Sequence, residues 1–211
     1  MDANVSAVLE KKINRTIGNL QNNKMDAYYV KTCAEAVALV KELCPEGQSV
    51  SWGGSMTLAE SGIKELLRSG AYRCLDREAK GADPEKIQRE AFSCDTYFCS
   101  SNAVTEAGEL YNVDGNGNRV AAFCYGPKQV IVVAGMNKVA GDLEGAMRRA
   151  REVAAPVNAQ RFAGLKTPCS VTGLCTDCTG PDSICCQIVT TRICRPAGRI
   201  KVVLVGEELG F

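Results

Sequence analysis

The run KQVIVVAG, residues 128–135, decides the fold class of this sequence. It is almost wholly apolar and has the length of a strand, which is the pattern of a strand buried on both faces of a sheet. The segment GDLEGAMRRAREVAAP, residues 141–156, then carries a helical pattern that we expect Pro156 to end. Another strand-like run, RIKVVLVG, follows at residues 199–206. A buried strand, a helix and a further strand in succession are typical of an α/β fold with a parallel sheet.

The N-terminal half shows the same alternation. After a first helix to about Asn22, we predict strands in MDAYYVK (25–31), QSVSW (48–52), YRCLD (72–76) and TYFCSS (96–101). Helices are predicted between them over TCAEAVALVKELC (32–44), TLAESGIKELLRSG (57–70) and residues 83 to about 93. The first two of these helices open on the capping boxes Thr32-x-x-Glu35 and Thr57-x-x-Glu60, and the third on Asp83-Pro84.

Two segments interrupt this alternation. LYNV and RVAAFCYG flank the turn-rich DGNGN, so we expect a β-hairpin inserted around residues 110–125. A cysteine-rich stretch lies before the last strand, so we interpret residues 167–195 as a loop inserted into the sheet domain. The prediction is one domain over residues 1–211, with a mostly parallel open sheet flanked by helices.

The charge and hydropathy patterns limit the partners. Lys and Arg number 25 and Asp and Glu 24, a formal charge of +1, so nothing favours nucleic acid or an anionic membrane. No run approaches the ~18 apolar residues of a membrane span. The opening MDANVSAVLEKKINRTIGNL lacks the apolar core of a signal peptide. We therefore expect a soluble, cytoplasmic protein whose partners are small molecules or proteins.

The first candidate site is the loop SWGGSMTLAE, residues 51–60. Gly53 and Gly54 permit a tight turn between a strand and a helix, and the start of that helix offers free N–H groups. Ser55 and Thr57 add hydroxyl donors. Such a loop suits a phosphate or a carboxylate, although it is neither a Walker loop nor a complete G-x-G-x-x-G motif. A tight turn in which Thr57 merely caps its helix is the alternative.

The second candidate site is SSNAVTEAGEL, residues 100–110, directly after a predicted strand. Ligand-binding groups usually collect at this end of strands in open α/β sheets. Since the chain has no histidine, an acid or base must be a carboxylate, Lys, Cys or Tyr. Glu106 is one candidate catalytic group, and Lys138, just past the buried strand, is another. A solvated loop carboxylate and an ordinary surface lysine are the alternatives.

The stretch CSVTGLCTDCTGPDSICC, residues 169–186, is the third candidate site. In a reducing cytosol, thiols persist and disulfides do not, which favours a metal site over a disulfide framework. Cys169, Cys175, Cys178 and Cys185 have the spacing C-x5-C-x2-C-x6-C, and four thiolates suit either Zn(II) or an iron-sulfur cluster. Cys186 and Cys194 are spare ligands. Free thiols and disulfides stay open as alternatives.

Four motifs together resemble the LUD domain family of lactate utilization protein C-like proteins. They are WGGSMT (52–57), TEAGELYNVDGNGNRVA (105–121), VIVVAGMNKV (130–139) and AAPVNAQR (154–161). The resemblance implies a fold similar to that of ribose-phosphate isomerase, CoA transferase and formyltetrahydrofolate cyclo-ligase, which bind anionic ligands at strand ends. It also implies that Gly53, Gly54, Ser55 and Thr57 hold such a ligand, and that Glu106 falls near the region of catalytic carboxylates. The paired acidic residues of the isomerases are missing around Glu106.

Three functions follow as hypotheses. The resemblance implies a part in lactate, or 2-hydroxy acid, utilization beside iron-sulfur oxidoreductase subunits, with an anionic ligand at the GGSMT loop. A non-catalytic subunit that carries a metal or an iron-sulfur cluster is the second hypothesis. An enzyme acting on acyl or phosphoryl substrates, like the transferases and isomerases of the same fold, is the third.

Overall fold

The parallel sheet that the sequence predicts is present in the computed structural model, which describes residues 2–211. The strands are β1 Asp26–Val30, β2 Ser49–Trp52, β3 Arg73–Leu75, β4 Thr96–Cys99, β5 Ala103–Thr105, β6 Leu110–Asp114, β7 Gln129–Gly135, β8 Val139–Ala140, β9 Gln187–Thr191 and β10 Ile200–Val205. The α-helices are α1 Ala3–Asn22, α2 Cys33–Leu43, α3 Met56–Glu60, α4 Ile63–Leu67, α5 Pro84–Glu90, α6 Asn118–Tyr125, α7 Leu143–Arg149, α8 Ala155–Ala159 and α9 Pro168–Thr172.

Six strands form one sheet in the order β1-β10-β7-β4-β2-β3, and every neighbouring pair is parallel. Strand β7 is central and buried on both faces, as predicted. Val130 and Val132 pack into the core on one face, with α1 and α6, while Ile131 and Val133 pack into the core on the other face, with α2, α3 and α4. This mixed α/β architecture confirms the predicted fold class.

A second sheet of four strands has the order β8-β5-β6-β9. Strand β5 pairs antiparallel with β6 and parallel with β8, and β6 pairs antiparallel with β9. Tyr111 of this sheet packs against Ala146 and Ala150 in a third, smaller core. The cysteine-rich stretch is thereby tied to the rest of the protein, since it contributes β9.

The prediction of a β-hairpin over residues 110–125 is wrong for the second half of this segment. Residues 110–114 do form a strand, but residues 118–125 form helix α6. The Asp114 carboxylate accepts hydrogen bonds from the Val120 backbone N–H at 2.9 Å and from Arg119 Nε at 2.8 Å, so it caps the helix start. The burial of Val120 and Phe123, three residues apart, is the spacing of a helix. A hairpin occurs instead one segment earlier, between β5 and β6.

The helix predicted to end at Pro156 continues to Ala159. A π-helical turn, Ala150–Ala154, joins α7 to α8, and Pro156 lies inside α8. A proline lacks the N–H for the regular helical bond and its ring crowds the preceding turn. The wider π turn immediately before it accommodates both effects. The extra turn brings Asn158 and Arg161 next to the first candidate site.

The single helix predicted over residues 57–70 is two short helices, α3 and α4, separated at Gly62, whose φ is +75°. The residue that caps α3 is Ser55, which lies two positions before the predicted cap Thr57. Ser55 Oγ accepts a hydrogen bond from the Leu58 N–H at 3.2 Å, whereas Thr57 is inside the helix.

Among the helices of residues 2–211, not one combines the length and the apolar character that crossing a membrane requires.

Candidate functional site

A cavity of about 390 Å³ opens at the carboxyl ends of the neighbouring strands β2, β4 and β7. Each strand contributes residues from the segment that follows it. The lining residues of these three segments are Gly54, Ser55 and Met56 after β2, Ser100, Ser101 and Asn102 after β4, and Lys138 after β7. The two sequence segments predicted as sites therefore contribute to one edge of the sheet, and Lys138 lies at the same edge, after the strand on the other side of β4.

Four cationic side chains line this cavity: Arg77, Arg119, Arg161 and Lys138. The lining contains one carboxylate, Asp114, which forms a nearly buried ion pair with Arg119 at 2.7 Å. Within residues 2–211, the ion pairs leave Arg77 and Arg161 without a carboxylate partner. We call the site the cation-lined cavity, since its three arginines outnumber its one carboxylate side chain.

The two glycines of the loop have side chains of other segments packed close to them. A Cβ on Gly54 would lie 2.7 Å from Arg77 Nη2, so the guanidinium sits directly against the loop backbone. A Cβ on Gly53 would lie 3.1 Å from the Tyr97 hydroxyl and 3.3 Å from Arg119 Cδ. Gly54 lines the cavity and Gly53 does not, and the Gly53 N–H instead donates to the Phe98 carbonyl at 3.1 Å.

The two hydroxyl residues of the loop have different surroundings. Ser55 lines the cavity while its oxygen caps α3. Thr57 is fully buried and donates to the Leu209 carbonyl at 3.1 Å, so its hydroxyl holds the C-terminal segment. Helix α3 has five residues, which limits the dipole at its N-terminus. The arginines dominate the positive potential here.

Lys138 is 3% exposed and lies in a 3₁₀ turn after β7. Its Nζ donates to Ser100 Oγ at 3.1 Å. Burial lowers the pKa of Lys138 to about 7, with a further contribution from the nearby positive charges of Arg149 and Arg119, against a smaller opposing effect of Glu60. The amine therefore changes protonation near neutral pH, which makes it suitable as a proton acceptor or a nucleophile.

Glu106 lies elsewhere, on the turn after β5. Its carboxylate accepts a hydrogen bond from Arg15 Nε of α1 at 3.0 Å, and Lys12 Nζ is 3.8 Å away. Its backbone carbonyl accepts from Asn19 Nδ2 at 2.8 Å. These contacts anchor α1, and Glu106 does not line the cation-lined cavity. A catalytic role for Glu106 stays a prediction.

The cysteines of the third candidate site surround a separate, mainly apolar cavity of about 170 Å³, which we call the cysteine cavity. Its lining includes Cys169, Cys175, Cys178 and Cys185. Burial raises the pKa of Cys185 to about 11, and the neighbouring thiols Cys175, Cys169 and Cys178 add to the effect. All twelve cysteines of the described chain are free thiols. In residues 2–211, no three Cys, Asp or Glu side chains are close enough to form a metal-binding group as they stand.

The two cavities are neighbours. Val113 of β6 and Ile184 of the cysteine-rich segment line both of them. Cys185 directly follows Ile184, and Ser183 also lines the cation-lined cavity.

Sequence reasoning missed the three arginines of the cavity. Arg77 follows β3 by two residues, so the rule that ligand groups follow strands could have found it. Arg119 lay in a segment predicted as a hairpin strand, and Arg161 lay beyond a proline predicted to end its helix. Because of these two errors, Arg119 and Arg161 were not predicted at the edge of the sheet where ligand-binding groups were expected.

Comparisons with known proteins agree with this architecture. Residues 13–205 match the LUD domain. A crystal structure of a DUF162 family protein from Deinococcus radiodurans has a similar fold, with a TM-score of 0.53 and 9% identity, covering 93% of this chain and 98% of that chain.

A weaker overlap is with ribose 5-phosphate isomerase from Plasmodium falciparum, with a TM-score of 0.33 and 15% identity, covering 64% of this chain and 66% of that chain. A search of curated proteins gives no significant match. The extent of the LUD match decides the assignment: the chain belongs to the LUD domain family, which is linked in general to lactate utilization.

Proposed function

We propose that this protein binds a small carboxylate of the 2-hydroxy or 2-oxo acid class in the cation-lined cavity, as part of lactate utilization in the cytoplasm. One observation supports this above the others. Arg77 and Arg161 line the cavity without a carboxylate partner in the described chain, beside the partly neutral amine of Lys138. An anion would supply a counter-charge to both guanidinium groups, of which Arg77 is half-buried and Arg161 is exposed.

The arrangement of donors suits a carboxylate. A guanidinium binds a carboxylate through two parallel hydrogen bonds, and Arg77 lies against the Gly54 backbone at the cavity wall. The Ser100 hydroxyl, beside Lys138, offers a further polar contact to a hydroxyl or carbonyl oxygen. The cavity of about 390 Å³ also has room for a ligand larger than a three-carbon acid. The acyl or phosphoryl substrate stays an alternative for this reason.

Thermal unfolding with a ligand panel tests the proposal. We expect lactate, pyruvate or phosphate to raise the Tm of the wild-type protein, and the increase should grow with the logarithm of ligand concentration once the site is mostly filled. Arg77→Met should lose most of this increase because it removes the guanidinium at the loop. Arg73→Met is the matched control, since Arg73 lies on the neighbouring strand β3 but is exposed and 3.5 Å from Asp95. Equal increases in both variants, or none in the wild type, would contradict the proposal. A response to CoA esters alone would favour the acyl alternative.

A second function is supported by the cysteine cavity. We propose that Cys169, Cys175, Cys178 and Cys185 hold a thiophilic centre, Zn(II) or an iron-sulfur cluster, in the cell. Four thiols around one cavity, in a chain without histidine, are the donor set that such centres use. A bound cation would lower the thiol pKa values and order the loop, and a cluster would also supply electron transfer. Iron-sulfur oxidoreductase subunits are the partners that this function suggests.

Metal analysis of protein purified without oxygen tests this second function. The wild type, expressed with ample iron and zinc, should contain stoichiometric metal, and Cys175→Ser/Cys178→Ser should not. Cys124→Ser is the control, because Cys124 is an exposed thiol on α6. Metal-free wild-type protein whose loop is as protease-sensitive as that of the double variant would refute the assignment.

A further inference from the structure

The protein buries two lysines, and they are buried in different ways. Lys64 is 7% exposed, and its Nζ binds the Glu78 carboxylate at 2.8 and 3.0 Å. Lys138 is 3% exposed, and its hydrogen bond is to the neutral hydroxyl of Ser100. A buried ammonium normally requires a paired carboxylate. The absence of such an ion pair for Lys138 in residues 2–211 sets this residue apart.

The charged groups that face Lys138 come from three helices. Arg149 of α7 and Arg119 of α6 are positive, and Glu60 of α3 is the opposing negative charge. Arg149 is held in place, since its Nε donates to the Asn137 carbonyl at 2.9 Å and its Nη1 donates to the Asn102 carbonyl. The charge of Arg119 is offset by Asp114. Fixed cations therefore oppose a charge on Nζ, in a cavity that is itself suited to an anion.

We propose that the Lys138 amine forms a reversible imine with the carbonyl carbon of a 2-oxo acid whose carboxylate is held by the arginines of the cation-lined cavity. This inference rests on the proposed binding function and names the reacting group and the ligand class. A neutral amine is a nucleophile, and a lysine that loses its charge by burial near other cations is an activated one. Lys138 lines the cavity, so a ligand bound there would be its neighbour.

The step is balanced without a further reactant. The Nζ lone pair attacks the carbonyl carbon and forms a C–N bond, while the π electrons move to the oxygen, which takes a proton. The proton that the oxygen takes is one of the two protons of Nζ. The resulting hydroxyl then leaves as water together with the second Nζ proton, and the C=N bond forms. The Ser100 hydroxyl, 3.1 Å from Nζ, is placed to relay a proton between nitrogen and oxygen. The imine withdraws electrons from the neighbouring carbon and so weakens its C–H bonds.

Reductive trapping tests the proposal. The full-length protein is incubated with pyruvate and cyanoborohydride, then digested and analysed by mass spectrometry. We expect the Lys138 peptide to gain the mass of pyruvic acid less one oxygen atom, and to be labelled at least about tenfold more than any other lysine near pH 7. Lactate, which has no carbonyl group, should compete with labelling, and acetone, which has no carboxylate, should label weakly. Labelling should rise with pH through about 7 as the amine loses its proton.

Two variants serve as controls. Lys138→Met should lose the selective label, whereas Lys64→Arg, which changes the other buried lysine, should keep the label on Lys138. A cooperative unfolding transition of Lys138→Met would show that this variant folds. Labelling of Lys138 no greater than that of surface lysines would overturn the imine. If pyruvate also stabilises the wild type in that case, the binding function stands and only the imine fails. If pyruvate neither labels nor stabilises the wild type, both proposals fail.

Discussion

The burial of Lys138 predicts an unusual dependence of stability on pH. The pKa of its amine falls from 10.5 to about 7 in the folded protein. Between these values the unfolded chain binds more protons than the folded one, so this residue makes the protein more stable as the pH rises. Below about pH 7 both states are protonated and above about pH 10.5 neither is, so the contribution is constant outside this window. Lys138→Met removes the titrating group and keeps a side chain of similar length.

The magnitude follows from the pKa difference. A tenfold change in a protonation equilibrium corresponds to about 1.4 kcal/mol, so the ceiling over the whole window is about 5 kcal/mol. Between about pH 6.5 and about pH 9.5 we expect the free energy of unfolding of the wild type to rise relative to Lys138→Met by about 3 kcal/mol. Near pH 6.5 the variant should be the more stable protein, because the wild type there carries a buried ammonium.

Urea unfolding of both proteins at a series of pH values measures this difference. Other groups, including the thiols, titrate equally in the two proteins and cancel in the comparison. Lys64→Met is a useful control, since Lys64 is paired with Glu78 and its loss should destabilise the protein at neutral pH. Parallel curves for the wild type and Lys138→Met across the window would refute the reasoning that Lys138 is buried largely without charge.

Three further substitutions test individual contacts. Gly54→Val should displace the Arg77 guanidinium, since an added Cβ would lie 2.7 Å from its Nη2. The variant should lose stabilisation by phosphate or pyruvate, while its own free energy of unfolding changes by less than about 1 kcal/mol. Retained ligand stabilisation would argue against the loop as the binding element. Asp114→Asn should cost about 2 to 4 kcal/mol in urea unfolding, because it leaves the nearly buried Arg119 without its counter-ion, and a neutral result would mean that the pair is hydrated. Gly18→Ala should stabilise the protein by about 0.5 to 1 kcal/mol in thermal unfolding, because alanine favours the helix α1 and its Cβ would meet nothing within 4 Å. A loss of stability would show that α1 packs more closely than described.

The sequence predicted those features that depend on local patterns. The apolar run of β7 identified a central strand because alternate residues of it must be buried on opposite faces. The position of Lys138 directly after this strand predicted that it lies at the carboxyl edge of the sheet, where the structure has it. These signals need no knowledge of how distant segments pack.

The features that were missed depend on tertiary contacts. The pattern of residues 119–126 fits a strand or a helix, and the helix forms because Asp114 caps it and Arg119 bonds back to β6. Pro156 is tolerated because a π turn precedes it, and no residue type in that stretch predicts a π turn. Arg77 and Arg161 are 84 positions apart in number, so only the fold shows that they line one cavity.

The central claim, that a small carboxylate binds at the carboxyl edge of β2, β4 and β7, is tested most directly by NMR. Amide resonances of the isotopically labelled protein are followed while pyruvate or lactate is added. We expect saturable shifts to concentrate at residues 54–56, 100–102 and 138, which line the cation-lined cavity. Shifts that concentrate elsewhere, for example on α1 around Glu106, or that are absent at saturating ligand, would contradict the account.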